Sequence, residues 1–254
     1  MAQVKEIEKR AGRLAADFRE QMGEDLKSPI DIFALAATIK NLTLVRYPLG
    51  ELISGICIKQ EGADVIAINS GMTLGRQRFS LAHEIYHLLH DEKIKTALCD
   101  KVIGSGHDES ERCADAFASH CLMPEITMLR LIDKETVHGS LSLDSVVRME
   151  QYFQVSRGAM LYRLKLMGAI EEKDAAGMRK NVKWSAVQRG YSDDLYRPTS
   201  VSDRYGAFGN YIHQARTIRE RELVSQGKYE ELLLDGFRSD IVYGSDCEGG
   251  DIDD

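Results

Sequence analysis

Long apolar runs are missing from this 254-residue chain. No stretch reaches the roughly eighteen consecutive apolar residues that mark a membrane-crossing helix, so no span is expected. Residues 1–20 are charged throughout and lack the apolar centre of a secretory signal. A cytoplasmic location is the expectation. Paired cysteines are missing too: Cys57, Cys99, Cys113, Cys121 and Cys247 are odd in number, scattered, and form no C-x-x-C. That argues against a disulfide framework or a cysteine-based zinc site, and Cys113 and Cys121, in an alanine-rich helical stretch, read as small core residues. A basic excess is also absent, with 33 Lys and Arg against 40 Asp and Glu for a net charge of −7. Wholesale phosphate binding is therefore disfavoured. No internal repeat is evident.

What is present is a series of amphipathic helical patterns interrupted once by extended segments. Residues 4–22 place Ile7, Ala11, Leu14, Ala15 and Phe18 at helical spacing, and 31–40 do the same with Ile32, Leu35, Ala36 and Ile39. The aliphatic and β-branched runs 42–47, 52–58 and 65–69, separated by Pro- and Gly-containing turns, read as a small antiparallel sheet. A long helix is expected over 74–90, another over 108–122 stopped by Pro124, a third through Leu131, and a helical pair at 143–153 and 156–167. Residues 91–107 read as a surface crossing. The stretch 173–205 has no assignable pattern, and helices are expected at 208–225 and 228–235. The acidic, Gly-containing end of the chain reads as a disordered tail.

The long helix carries His83-Glu84-Ile85-Tyr86-His87. Histidines four apart on a helix differ by about 40° in direction and about 6 Å in height, so both can aim a ring nitrogen at one ion. Glu84, rotated by about 100° from His83, reaches the side where a water on that ion would sit. A catalytic zinc keeps three protein ligands and one open position. The next helix supplies a third ligand. Glu111, Ala114, Asp115, Ala118, Cys121 and Leu122 share one of its faces, and two carboxylates in a stripe of small apolar residues need compensation. Glu111 is read as the ligand and Asp115 as the acceptor of a ligating histidine's outer N–H. The competing reading is a solvated or locally paired Asp115. His90, seven residues after His83, also lies on the metal-facing side, but three collinear ligands span about 10.5 Å and do not converge. His107, Asp91 and Glu92 read as solvated loop residues.

At these residues the chain closely resembles the ImmA/IrrE family of metallopeptidases. The matching pieces are Arg78-Phe79-Ser80-Leu81-Ala82-His83-Glu84-Ile85-Tyr86-His87 and Glu111-Arg112-Cys113-Ala114-Asp115-Ala116-Phe117-Ala118, ending in Leu122-Met123-Pro124. Ser80 stands where the family usually has Thr, and His120-Cys121 where residues are usually small or aliphatic. The resemblance covers about residues 28–170. It implies an α+β fold: a mostly helical zincin-like domain with a small antiparallel β-sheet (1–135) and a helix-turn-helix-like lobe (136–170); beyond it the residue pattern reads as a helical C-terminal extension of open role (171–240) and the acidic tail (241–254). It also implies a zinc-dependent endopeptidase with Glu84 catalytic and His83, His87 and Glu111 on the metal. The donor set admits manganese as well.

The implied substrate is a helix-turn-helix repressor, whose cleavage releases mobile-element or stress genes. Membrane association and a small-molecule substrate are not expected. The competing function is a non-proteolytic, metal-stabilised regulator or toxin–antitoxin component that binds such a partner. A third is DNA binding by the lobe itself, where Arg157, Arg163 and Lys165 would suit a groove. The acidic chain favours a structural lobe over a DNA reader. A peptide substrate is expected to add a strand near 65–69, and Tyr86, Tyr47 and His107 are candidates to stabilise the oxyanion.

Overall fold

A computed structural model of the chain describes residues 2–91, 96–100, 103, 108–137 and 139–244. The fold is α+β and 57% helical. Helix α1 (Ala2–Gln21) buries Ile7, Ala11, Ala15 and Phe18, the stripe its sequence period demands. Helix α2 (Ile32–Thr38) starts at Asp31, whose carboxylate accepts from the amides of Phe33 and Ala34. Strands β1 (Leu42–Tyr47), β2 (Ile53–Ile58) and β3 (Asp64–Asn69) follow, then α3 (Leu74–His90).

The expected three-stranded antiparallel sheet is instead five-stranded and mixed, in the order β4-β2-β3-β1-β7. Strand β3 runs parallel to β1, with Leu42 opposite Asp64, while β2 lies antiparallel on β3's far side. Strand β4 (Thr96–Asp100) comes from the stretch read as a surface crossing and pairs antiparallel with β2. Strand β7 (Gly206–Gly209) pairs antiparallel with β1. The helix expected from 208 therefore starts later, as α10 (Asn210–Glu220). Gly209 ends that strand at φ +80°, and a Cβ there would lie 2.6 Å from the Leu42 carbonyl oxygen. Only glycine meets both demands.

Helix α4 (Glu109–Leu122) is capped by Asp108, which accepts from the Glu111 amide at 2.8 Å. It packs across both α1 and α3. Its Ala114, Ala116 and Ala118 are fully buried, so small side chains let the helices approach. Arg19, 1% exposed, ties α1 to the end of α4 by donating to the carbonyls of Cys121, Asp25 and Ser28. Helix α5 (Glu125–Glu135) and a two-residue-per-strand hairpin, β5 (Thr136–Val137) with β6 (Ser140–Leu141), lead to α6 (Leu143–Phe153) and α7 (Arg157–Leu166).

The stretch without a sequence pattern contains α8 (Glu172–Met178), α9 (Val182–Val187) and a single 3-10 turn at Asp194–Tyr196. Helices α11 (Gln226–Asp235) and α12 (Ser239–Tyr243) complete the described chain. Among the described residues no helix is long and apolar enough to cross a membrane. The acidic stretch from 245 onward, with Cys247, lies outside the described residues, as do Glu92 and His107.

Candidate metal centre

Helices α3 and α4 place His83, His87 and Glu111 around one point. The two Nε2 atoms are 3.2 Å apart, and Glu111 puts Oε2 at 3.3 Å from His83 and Oε1 at 3.2 Å from His87. Donors around a tetrahedral ion with bonds of about 2.1 Å sit about 3.4 Å from one another, so these separations fit one cation. Cys99 on β4 joins them: one donor atom each from His83, His87, Cys99 and Glu111 lies within 4.8 Å of all the others. His83, His87 and Cys99 are buried and Glu111 is half-buried. Cys99 was not singled out in the sequence, because nothing in its spacing connects a short strand to the HExxH helix.

The surroundings orient the first group of side chains. Asp115 Oδ1 lies 2.9 Å from His83 Nδ1, and Asp91 Oδ2 lies 3.5 Å from His87 Nδ1. With each Nδ1 turned towards a carboxylate, each Nε2 is left facing the common point. Burial disfavours a charged His83, yet Asp115, Cys99 and Glu111 outweigh it and raise its pKa well above the usual histidine value. Burial also pushes at Glu111, but the two imidazoles prevail and hold its carboxyl well below the usual range. The Cys99 thiol is pushed up to about 12, chiefly by burial.

Glu84 is fully buried; among the described residues no nitrogen or oxygen donor reaches its carboxylate, and the side chain that hydrogen-bonds to it is the weakly donating Cys99 thiol. Burial is the main reason its pKa is raised. It lies against Gly55 of β2, where an added Cβ would meet Glu84 Oε1 at 2.5 Å. A buried carboxylate met by a weak thiol donor, next to two imidazoles and a further carboxylate, is a costly arrangement for an ion-free protein. A divalent cation among these donors relieves it, so the residues present fit a metal ion.

A family model described as the IrrE N-terminal-like domain, of peptidase family M78, matches residues 27–165, more than half of the chain. This chain belongs to the ImmA/IrrE metallopeptidase family. No curated protein shows a significant match to it.

The other candidates of this ImmA/IrrE protein sit elsewhere. The His90 ring packs on Tyr86 and Phe117 at 5.5 and 5.6 Å and is not among the clustered donors. Tyr86 is buried among the same rings, and Tyr47 stacks on Tyr205 and Phe237. Strand β3, expected to accept a peptide along its edge, has no free edge, since β1 and β2 flank it. Among the described strands the outer positions belong to β4 and β7. A groove of about 980 Å³ is lined by Met72, Arg76, Ile103 and Tyr162 and by none of the clustered donors; its link to the centre is the Arg76 charge, which acts on both Asp115 and Cys99.

The helix-turn-helix-like pair is packed inward. Arg157, 2% exposed, donates from Nε and Nη2 to the two Glu150 oxygens at 2.6 and 2.8 Å. Arg163, also 2% exposed, faces His120 and Glu8. The turn itself seats on α3: a Cβ on Gly75 would meet the Ser156 nitrogen at 2.7 Å. Both arginines proposed for a DNA groove are thus committed inside the fold.

Proposed function

We propose that this protein is a zinc-dependent endopeptidase that cuts a helix-turn-helix transcriptional repressor. The observation that carries the reading is Glu84: a fully buried carboxylate with no nitrogen or oxygen donor among the described residues, held within electrostatic reach of the His83–His87–Glu111 cluster. His83, His87 and Glu111 are the metal ligands in this account, and Asp115 fixes the His83 tautomer by accepting from Nδ1. Two imidazoles and a carboxylate suit zinc, and manganese tolerates the same set. When bound, such an ion supplies Lewis acidity, lowering a water's pKa to roughly 7 and polarising a carbonyl.

The chain's own residues do the rest. Glu84 accepts the proton of the attacking water at a carboxylate oxygen and then returns it to the departing amine nitrogen. Its burial favours the protonated form between those two transfers. The repressor as substrate, and derepression of mobile-element or stress genes as the outcome, rest on the family resemblance.

One observation favours a second reading. Four protein donors are typical of closed, structural metal sites, and Cys99 makes four. A metal-stabilised protein that binds its partner without cutting it follows from that. Incubating wild type and Glu84→Gln with the helix-turn-helix protein encoded beside it, plus zinc, separates the two by intact mass. Two defined fragments from wild type alone support the peptidase. An uncut partner that co-elutes with both forms supports the binding regulator.

A further inference from the structure

We propose that Cys99 is a fourth donor to the ion, so that the resting centre is closed and opens only when strand β4 withdraws its thiolate. The inference rests on the three-ligand peptidase reading above and adds Cys99, to which that reading gives no role. Three observations support it. The Cys99 sulfur sits within the same 4.8 Å cluster as the His83, His87 and Glu111 donors. Its backbone position is a special one: the β2–β4 ladder shifts register between Ile53 and Gly55, opposite Asp100 and Cys99. A bulge of this kind re-aims the side chain beside it. The Cys99 thiol is also within hydrogen-bonding reach of both His83 and Glu84, and Glu84 lies against the same Gly55.

The chemistry is consistent with those positions. A thiolate with two imidazoles and a carboxylate would give an ion four protein donors, and Cys99 would release its thiol proton to solvent on binding it. No oxidant is required. The position that an attacking water needs is then held by sulfur, and a substrate peptide must displace it. Strand β4 is suited to that movement. It is five residues long and, among the described strands, pairs with β2 alone.

Loading the full chain with Co²⁺ tests this without recourse to activity. Wild type should bind one equivalent and show a near-ultraviolet thiolate-to-cobalt charge-transfer band. Cys99→Ser should lose that band completely while still binding cobalt, with affinity weakened by about ten-fold or more. Azide, a small anion that fills open positions, should shift the visible bands of Cys99→Ser and leave those of wild type unchanged. A wild-type protein that binds one Co²⁺ without the thiolate band, or with a band that survives in Cys99→Ser, overturns the proposal and leaves the three-ligand centre intact. Equal azide shifts in both proteins overturn closure. Failure of wild type to bind Co²⁺ at all refutes the metal centre and this proposal together. Cys99→Ala, read by the same spectra, guards against misfolding of the serine variant.

Discussion

Gly55→Ala places one methyl group against the proposed catalytic base, whose atoms are its three nearest neighbours. The new Cβ would lie 2.5 Å from Glu84 Oε1, 2.9 Å from Cγ and 3.0 Å from Cδ. To reach an ordinary contact of 3.4 Å the carboxylate must retreat by about 0.9 Å, and its site is fully enclosed. A misplacement of about 1 Å in a reacting group costs about 10²-fold in rate, or about 2.7 kcal/mol of barrier. Overpacking should cost about 1–3 kcal/mol of stability, which urea unfolding will register. The expected result is a folded protein with a wild-type equivalent of bound zinc, because His83, His87 and Glu111 are untouched, and about a hundred-fold slower cleavage. Activity equal to wild type in a protein that has accepted the methyl group would refute the assignment of Glu84 as a precisely positioned base.

Three further outcomes follow from the same structure. Asp115→Asn removes the carboxylate 2.9 Å from His83 Nδ1, and zinc affinity measured by chelator competition should fall about 10–100-fold; unchanged affinity would mean that Asp115 does not orient the ring. Arg19→Met leaves the carbonyls of Cys121, Asp25 and Ser28 without their donor, and urea unfolding should show a loss of about 3 kcal/mol. A loss below about 1 kcal/mol would show that water replaces the guanidinium. The purified protein should show no salt-sensitive affinity for duplex DNA by fluorescence anisotropy, since Arg157 and Arg163 are enclosed; tight, salt-dependent binding would contradict the inward packing of α6 and α7.

Much of this could be read from sequence wherever the determinants are local. Helix α3 spans the expected residues 74–90, because its apolar period and its HExxH spacing are properties of one continuous segment. Asp108 and Pro124 likewise bracket α4 through capping and a missing amide donor. The convergence of His83, His87 and Glu111 followed from helix geometry plus a stripe of small residues.

The features that escaped depend on partners distant in sequence. Strand directions are set by which strand lies next to which, so the parallel β1–β3 pairing was hidden behind two plausible hairpin turns. Gly206-Ala207-Phe208-Gly209 has little strand propensity and is extended because the free edge of β1 receives it. Cys99 entered the centre through a register shift between two strands, which no spacing in the chain encodes. The lobe's arginines looked available for DNA because Glu150, seven residues before Arg157, reads as a surface charge until the fold buries both.

The central claim is that one ion, held by His83, His87 and Glu111, makes this chain a peptidase. Its most direct test is to strip the protein of metal with a chelator, remove the chelator, and titrate zinc while following cleavage of the helix-turn-helix repressor proposed as substrate. Cleavage should be absent at the start, rise linearly, and saturate at one equivalent for wild type, with Glu84→Gln binding the same equivalent and cutting nothing. Cleavage by the metal-free protein, or by Glu84→Gln at the wild-type rate, would contradict the account.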